Sequence, residues 1–280
     1  ALVNLSAKQT KADEIAEIAQ KIKNIYKKFN EPQDFALQYI TALANLSTKQ
    51  TKAEEIAEIA QKIKNIYKKF NEPQDFALRY AMALVNLSAK QTKADEIAEI
   101  AQKIKNIYKK FNEPQDAALY YAMALVNLSI KQTKADETDE IAQEIKEIYK
   151  KFKEPQDIAL SYAMALVNLS AEQTKAEEIV KIAQEIKEIY KKFNEPQDIA
   201  LQYTTALANL STKQTKAEEI AETTQKIQVT YEKFKEPENI ALHYAMALSN
   251  LSLGQTNLDK LNDTVSKLKK IALNFEKNED

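Results

Sequence analysis

One glycine, one histidine, no cysteine and no tryptophan stand among 280 residues. At average usage a chain this long would hold about 20 glycines. Phosphate-cradling loops, dinucleotide-binding turns and glycine-dependent hairpins therefore have no residues to build them, and helices are the elements that tolerate such scarcity. Without cysteine there is no disulfide framework, thiolate metal site or cysteine nucleophile, and His243 alone makes neither a multi-histidine metal site nor a set of acid–base histidines. No metal, no cofactor and no catalytic residue is expected, and the chain reads as a non-enzyme. Charge is close to balance, 40 Lys+Arg against 41 Asp+Glu, which argues against an electrostatic fit to nucleic acid or an anionic membrane. Apolar stretches such as residues 162–167 fall far short of the roughly 20 residues of a membrane span. No signal-peptide pattern opens the sequence, so a cytoplasmic protein is the expectation.

What the sequence does contain is one unit repeated. Pro32, Pro73, Pro114, Pro155, Pro196 and Pro237 recur every 41 residues, as do Asn4, Asn45, Asn86, Asn127, Asn168, Asn209 and Asn250. Residues 1–34 recur letter for letter as residues 83–116, so the copies arose by duplication and serve as an internal alignment. The organisation is a single array over residues 1–280, with copies at 1–41, 42–82, 83–123, 124–164, 165–205, 206–246 and a cap-like 247–280. Ala1 corresponds to Ala42, inside a helix, which points to an array cut from a longer one.

Each copy reads as two helices. Helix A runs from the proline, as in Pro155 to about Ala171; a proline there sacrifices an N–H that would have no helical partner anyway. Helix B is expected to open on a capping box in which a threonine hydroxyl caps the backbone and an acidic side chain reaches back: Thr10 with Asp13, Thr51 with Glu54, Thr92 with Asp95, Thr133 with Asp136, Thr174 with Glu177, Thr215 with Glu218 and Thr256 with Asp259. It continues to the phenylalanine before the next proline, as in Lys52 to Phe70. Ile56, Ile59, Ile63, Ile66 and Phe70 form its helical stripe. Acidic residues crowd its first turns and lysines its last, which suits the helix dipole and reads as a solvated face. In the last copy Leu258, Leu261, Val265, Leu268, Ala272 and Phe275 keep the stripe. Asn262 and Thr264 replace apolar residues, as expected of a terminal repeat whose outer face needs to be polar.

The run from Pro32 to Tyr39, the Lys49–Gln50 turn and the helix following Thr51 resemble the tetratricopeptide repeat, in wording closest to its longer form in kinesin light chains. The likeness extends over the whole chain, although the usual period is 34 residues and the small glycine of the first helix is replaced by Ala42 and its copies. The resemblance implies an all-α, right-handed α-solenoid superhelix of stacked antiparallel helix pairs, with helix A on the concave side. It also implies a protein-binding scaffold.

At about 100° per residue, Asp34, Gln38, Thr41, Asn45 and Thr48 share one sector of helix A, which should face water. The copies differ there in a pattern. One row holds Gln38, Arg79, Tyr120, Ser161, Gln202 and His243, whereas the flanking leucine and tyrosine never change; the next row is always Asn. The reading is a peptide-binding face. Asn45, Asn86, Asn127, Asn168, Asn209 and Asn250 form a ladder for the ligand backbone, and the varied row reads its side chains. The competing reading is that each asparagine bonds the adjacent copy. Asn-Leu-Ser also matches the N-glycosylation pattern, but on a helix it reads as coincidence. A structural spacer, or a rod that self-associates end to end, is the alternative function. A helical-repeat RNA reader is disfavoured because Arg79 is the only cation of the sector. The expected partner is thus a protein or peptide, with no nucleic acid and no membrane.

Overall fold

The computed structural model describes residues 2–153, 155–234 and 237–276; Ala1 and the side chains of Phe275 and Glu276 lie outside that description. Among the described residues there are fourteen helices and no strand. Odd-numbered helices are the A type: α1 (Leu2–Lys8), α3 (Gln33–Ser47), α5 (Gln74–Ser88), α7 (Gln115–Ser129), α9 (Gln156–Glu172), α11 (Gln197–Lys213) and α13 (Glu238–Gly254). Even-numbered helices are the B type: α2 (Ala12–Lys28), α4 (Ala53–Lys69), α6 (Ala94–Lys110), α8 (Ala135–Lys151), α10 (Ala176–Lys192), α12 (Ala217–Lys233) and α14 (Leu258–Glu276). The chain divides into two compact units, Ala1–Gln132 and Thr133–Asp280. Each is a stack of helix pairs, the all-α repeat the periodicity predicts.

Helix B forms because its isoleucines return every three or four residues to one face. In α4, Ile56 and Ile63 are wholly buried and Ile59 and Ala60 nearly so, each full isoleucine burial contributing about 1.5–3 kcal/mol. Helix A is apolar over most of its circumference, because helices pack on several sides of it. Its alanines, among them Ala36, Ala42, Ala77 and Ala83, are completely buried and let neighbouring backbones approach. Within each unit an A helix contacts the A helix of the next copy, as α3 does α5 and α9 does α11, and the B helices on either side.

The B-to-A turn answers the shortage of glycine. The backbone enters the left-handed region twice in succession, at Asn30 (φ 60°) and Glu31 (φ 57°), Asn71 and Glu72, Asn112 and Glu113, Asn194 and Glu195, with Lys153 (φ 59°) in the same place. Glycine is the usual residue for this conformation, asparagine a tolerated one and glutamate a costly one. The turn closes helix B: Asn30 N–H donates to the Lys27 carbonyl at 3.2 Å and Glu31 N–H to that of Tyr26 at 2.8 Å. Glu31 then pairs with Lys69 of the next copy, as Glu72 does with Lys110 and Glu195 with Lys233. Lys69 Nζ also lies 5.8 Å from the Tyr26 ring centre, and Tyr26 stacks on Tyr39 with centroids 6.3 Å apart. Hydrogen bonding from Lys69 holds the Glu31 carboxyl below its usual range.

Two local expectations need correction. Proline is the residue flanking helix A, extended at φ −70° and ψ 154° in Pro32, and the first helical residue is the glutamine after it. The capping box of helix B does not form. The extended cap position falls one residue later than expected, on Lys11, Lys52, Lys93, Lys134, Lys175 and Lys216, with no side-chain cap bond. The threonine is thereby left outside the helix. An ion pair takes the place of the box in several copies, at 3.5 Å for Lys52–Glu55, 3.1 Å for Lys93–Glu96 and 2.8 Å for Lys134–Glu137. In the last copy the cap is Asn257, whose Oδ1 accepts from the Lys260 N–H at 3.0 Å, not Thr256.

Candidate functional site

The polar sector of helix A emerges where the 100° spacing puts it. Asp34, Gln38 and Thr48 are exposed, and Thr41 and Asn45 half-buried. The asparagines are not free-standing. Asn45 Nδ2 donates to Ser6 Oγ at 3.0 Å, Asn86 to Ser47 and Asn127 to Ser88 at 2.8 Å each in the first unit. In the second unit Asn209 donates to Ser170 at 2.8 Å and Asn250 to Ser211 at 2.9 Å. Each acceptor serine donates its own proton to the carbonyl three residues before it, as Ser47 does to Ala44 at 2.6 Å and Ser88 to Val85 at 2.7 Å. Donor, hydroxyl and carbonyl thus form a short relay across each of these junctions. The relay gives a structural reason for the constancy of asparagine. The carboxamide keeps its oxygen and its second N–H, and every residue of the row from Asn45 to Asn250 is half-buried rather than sealed.

Serine is the partner of each of these asparagines, and the spacing of the polar sector does not single it out. Ser6, Ser47, Ser88, Ser129, Ser170, Ser211 and Ser252 are as constant as the asparagines two residues before them, and that constancy is the signal that identifies them. The relay also bears on the glycosylation pattern, since the nitrogen that would be modified is engaged at Asn45, Asn86, Asn127, Asn209 and Asn250.

The varied row divides. Gln38 is exposed, and Arg79, Tyr120, Gln202 and His243 are half-buried. Ser161 is buried, 5% exposed, and spends its hydroxyl on the Asp157 carbonyl at 3.3 Å. A side chain so short does not rise out of the packing. Burial raises the Tyr120 phenol above its ordinary pKa, while the charge of Arg79 opposes the rise and that of Asp116 adds to it. Met123 on α7 and Ile130 at its C-terminal cap add exposed apolar surface, 40% and 54% exposed. In the second unit His243 Nδ1 lies 3.1 Å from Thr204 Oγ1 and its Nε2 3.3 Å from Thr205 Oγ1. Both hydroxyls also reach the Leu201 carbonyl, at 3.0 and 2.8 Å. Desolvation lowers the His243 pKa from its usual value.

Elsewhere in the second unit Tyr162 is almost wholly buried. Its hydroxyl donates to Glu185 at 2.7 Å, and Lys146 Nζ sits 2.6 Å from the same carboxylate. Burial and the bond to Glu185 push the phenol far above its ordinary pKa. This group ties α8, α9 and α10 together at the edge of a small open cavity of about 200 Å³. No helix among the described residues is long and apolar enough to cross a membrane.

No family model matches this chain, and no curated protein does. Among solved structures, a chain described under "Computational Design of Self-Assembling Cyclic Protein Homooligomers" aligns over 97% of this chain and 87% of its own, at 18% identity and a TM-score of 0.15. A likeness that low carries no argument about shape or activity. The chain is a tandem helical repeat whose A helices carry a semi-exposed polar sector.

Proposed function

We propose that the chain is a non-enzymatic scaffold of the tetratricopeptide-like kind that binds extended protein or peptide segments along the helix-A sector. The observation that carries this reading is where variation falls. Helix A changes freely at the row of Gln38, Arg79, Tyr120, Gln202 and His243, and this row reaches the surface, whereas the flanking tyrosines Tyr39, Tyr80, Tyr203 and Tyr244 are buried. In the proposal the remaining oxygen and N–H of Asn45, Asn86 and Asn127 in the first unit, and of Asn209 and Asn250 in the second, bind the ligand backbone, with Asn168 as the sixth rung of the ladder. The varied side chains read sequence. Ser161 contributes a gap instead of a contact. A screen of a peptide array with the intact chain, against a variant carrying Ala at Gln38, Arg79, Tyr120, Gln202 and His243, tests it; binders lost in the variant support a reading face, and equal binding by both proteins refutes it.

The second reading is a structural spacer or self-associating rod. The Asn–Ser relay favours it, because a constant asparagine is then explained by packing alone. Under this reading the array screen yields no binder.

A further inference from the structure

Two cavities of the second unit are built from the same positions one copy apart. The cavity of about 200 Å³ beside Tyr162 is lined by eight residues, and the residue 41 places after each of them lines a second cavity, of about 260 Å³, between α10, α11 and α12. The tyrosine pair is kept: Tyr149 and Tyr162 stack with ring centres 6.2 Å apart, and Tyr190 and Tyr203 do so at the same distance. The lysines are kept as well, Lys146, Lys150 and Lys192 recurring as Lys187, Lys191 and Lys233. The acids are what changes. Lys226 stands in the place of Glu185, and Val229, 56% exposed, in the place of Glu188.

In the first cavity the Glu185 carboxylate gathers the donors: Lys146 Nζ lies 2.6 Å from it and the Tyr162 hydroxyl donates to it at 2.7 Å. In the second the same two donor positions remain, as Lys187 and Tyr203, and the acceptor between them has become a third donor, Lys226. Glu195 is the only carboxylate lining that cavity among the described residues, and it is paired with Lys233. Like charges that share a cavity repel, more strongly where water is partly excluded. Burial, and after it the neighbouring Tyr190, raise the Tyr203 phenol above its ordinary pKa, which keeps the proton in place as a donor near neutral pH.

We propose that the cavity between α10, α11 and α12 is a binding site for a carboxylate carried by a ligand, which takes the place that Glu185 fills in the preceding junction. Lys187 and Lys226 supply the positive charge, the Tyr203 hydroxyl donates a hydrogen bond, and Val229 gives an apolar contact to the carbon chain that carries the group. Hydrogen bonds to an ionised acceptor are about twice as strong as neutral ones, and here the ligand also relieves the repulsion between lysines. The acidic side chain of a protein segment and a small dicarboxylic acid present this same group. None of the lining residues belongs to the varied row, so the site does not depend on the peptide-reading face.

The test titrates the 280-residue chain with two probes: a fluorescein-labelled peptide of alternating glutamate and alanine, followed by anisotropy, and glutarate, followed by NMR of the tyrosine ring signals with Tyr203→Phe assigning that of Tyr203. Saturable binding is expected, weakened about tenfold or more in Lys226→Glu, which restores the internal acid and should leave the Tm at or above that of the parent. Tyr203→Phe, which removes the phenol donor alone, should weaken binding by about tenfold. Lys90→Glu makes the same change in net charge at an exposed turn of the first unit and should bind as the parent does. Binding of glutarate shows that the free acid suffices, and binding of the peptide alone assigns the site to an acidic protein segment; both support the proposal. No saturable binding of either probe, or equal losses in Lys226→Glu and Lys90→Glu, overturns it.

Discussion

Asn127 Nδ2 donates to Ser88 Oγ at 2.8 Å across the α5–α7 junction, and Ser88 passes its own proton to the Val85 carbonyl at 2.7 Å. Because the serine is buried and the asparagine half-exposed, the two ends of the bond separate structure from recognition. Ser88→Ala should cost about 1 kcal/mol, the net value of a neutral hydrogen bond, lowering the Tm by a few degrees while leaving the carboxamide at the surface. Asn127→Ala should cost a similar amount and also weaken any peptide held along the sector. Thermal melts paired with binding to a peptide from the array screen decide: equal binding losses in both variants would assign the asparagine to packing alone.

Lys153 occupies the left-handed position that asparagine fills in Asn30, Asn71, Asn112 and Asn194. Asparagine pays less for that backbone than lysine does. Lys153→Asn should therefore stabilise the chain by about 0.5–1 kcal/mol, seen as a higher urea midpoint at unchanged slope. No gain would mean that the lysine recovers the cost through contacts of its own.

His243 gives the stability a pH dependence of definite sign. Its pKa is lowered in the folded state by desolvation, so the unfolded chain binds the proton more readily. Full stability stands above the unfolded value of about 6.5 and falls as pH drops from there towards the folded pKa, below which this contribution is constant. Melting wild type and His243→Gln between pH 5 and 8 should show a decline on the acid side that is shallower in the variant. Parallel curves would remove His243 from the account.

The sixth copy should open before its neighbours in the second unit. Thr223, Thr224 and Thr230 are buried on α12 where α10 carries Ile182, Ala183 and Ile189. Hydroxyls spent on nearby acceptors, as Thr230 donates to the Lys226 carbonyl at 3.1 Å, leave less apolar area to stabilise the packing. Amide exchange in α12 should outpace that in α10, and Thr230→Ile should slow it, stabilising by about 1 kcal/mol.

Much of this architecture was legible in the sequence because two independent signals coincide. Proline every 41 residues marks the start of each A helix, and the isoleucine stripe of Ile56, Ile59 and Ile63 fixes the buried face of helix B. The capping threonines misled because a pattern of residue types does not fix the register of the turn before a helix. Lys52 takes the extended cap position, and a one-residue shift is enough to carry the Thr51 hydroxyl out of reach. The left-handed pair at Asn30 and Glu31 was hidden for a related reason: asparagine eases the first of the two positions, but the glutamate at the second is held there by the bonds that close helix B and has no preference of its own for it. The polar sector was correctly placed by angle alone. The depth of Ser161 was not, because half-exposed positions reach solvent by side-chain length.

The Asn–Ser relay joins residues 39 apart in the sequence at each junction where it is seen, and it uses the same atoms each time. A junction therefore does not record which copies it joins. Excising residues 83–123 would bring Asn127 to the place of Asn86, opposite Ser47, with every donor still matched to an acceptor. The array thus behaves like a ruler that can be shortened or lengthened by whole graduations, and only a change out of step with the 41-residue period would leave a mismatched joint.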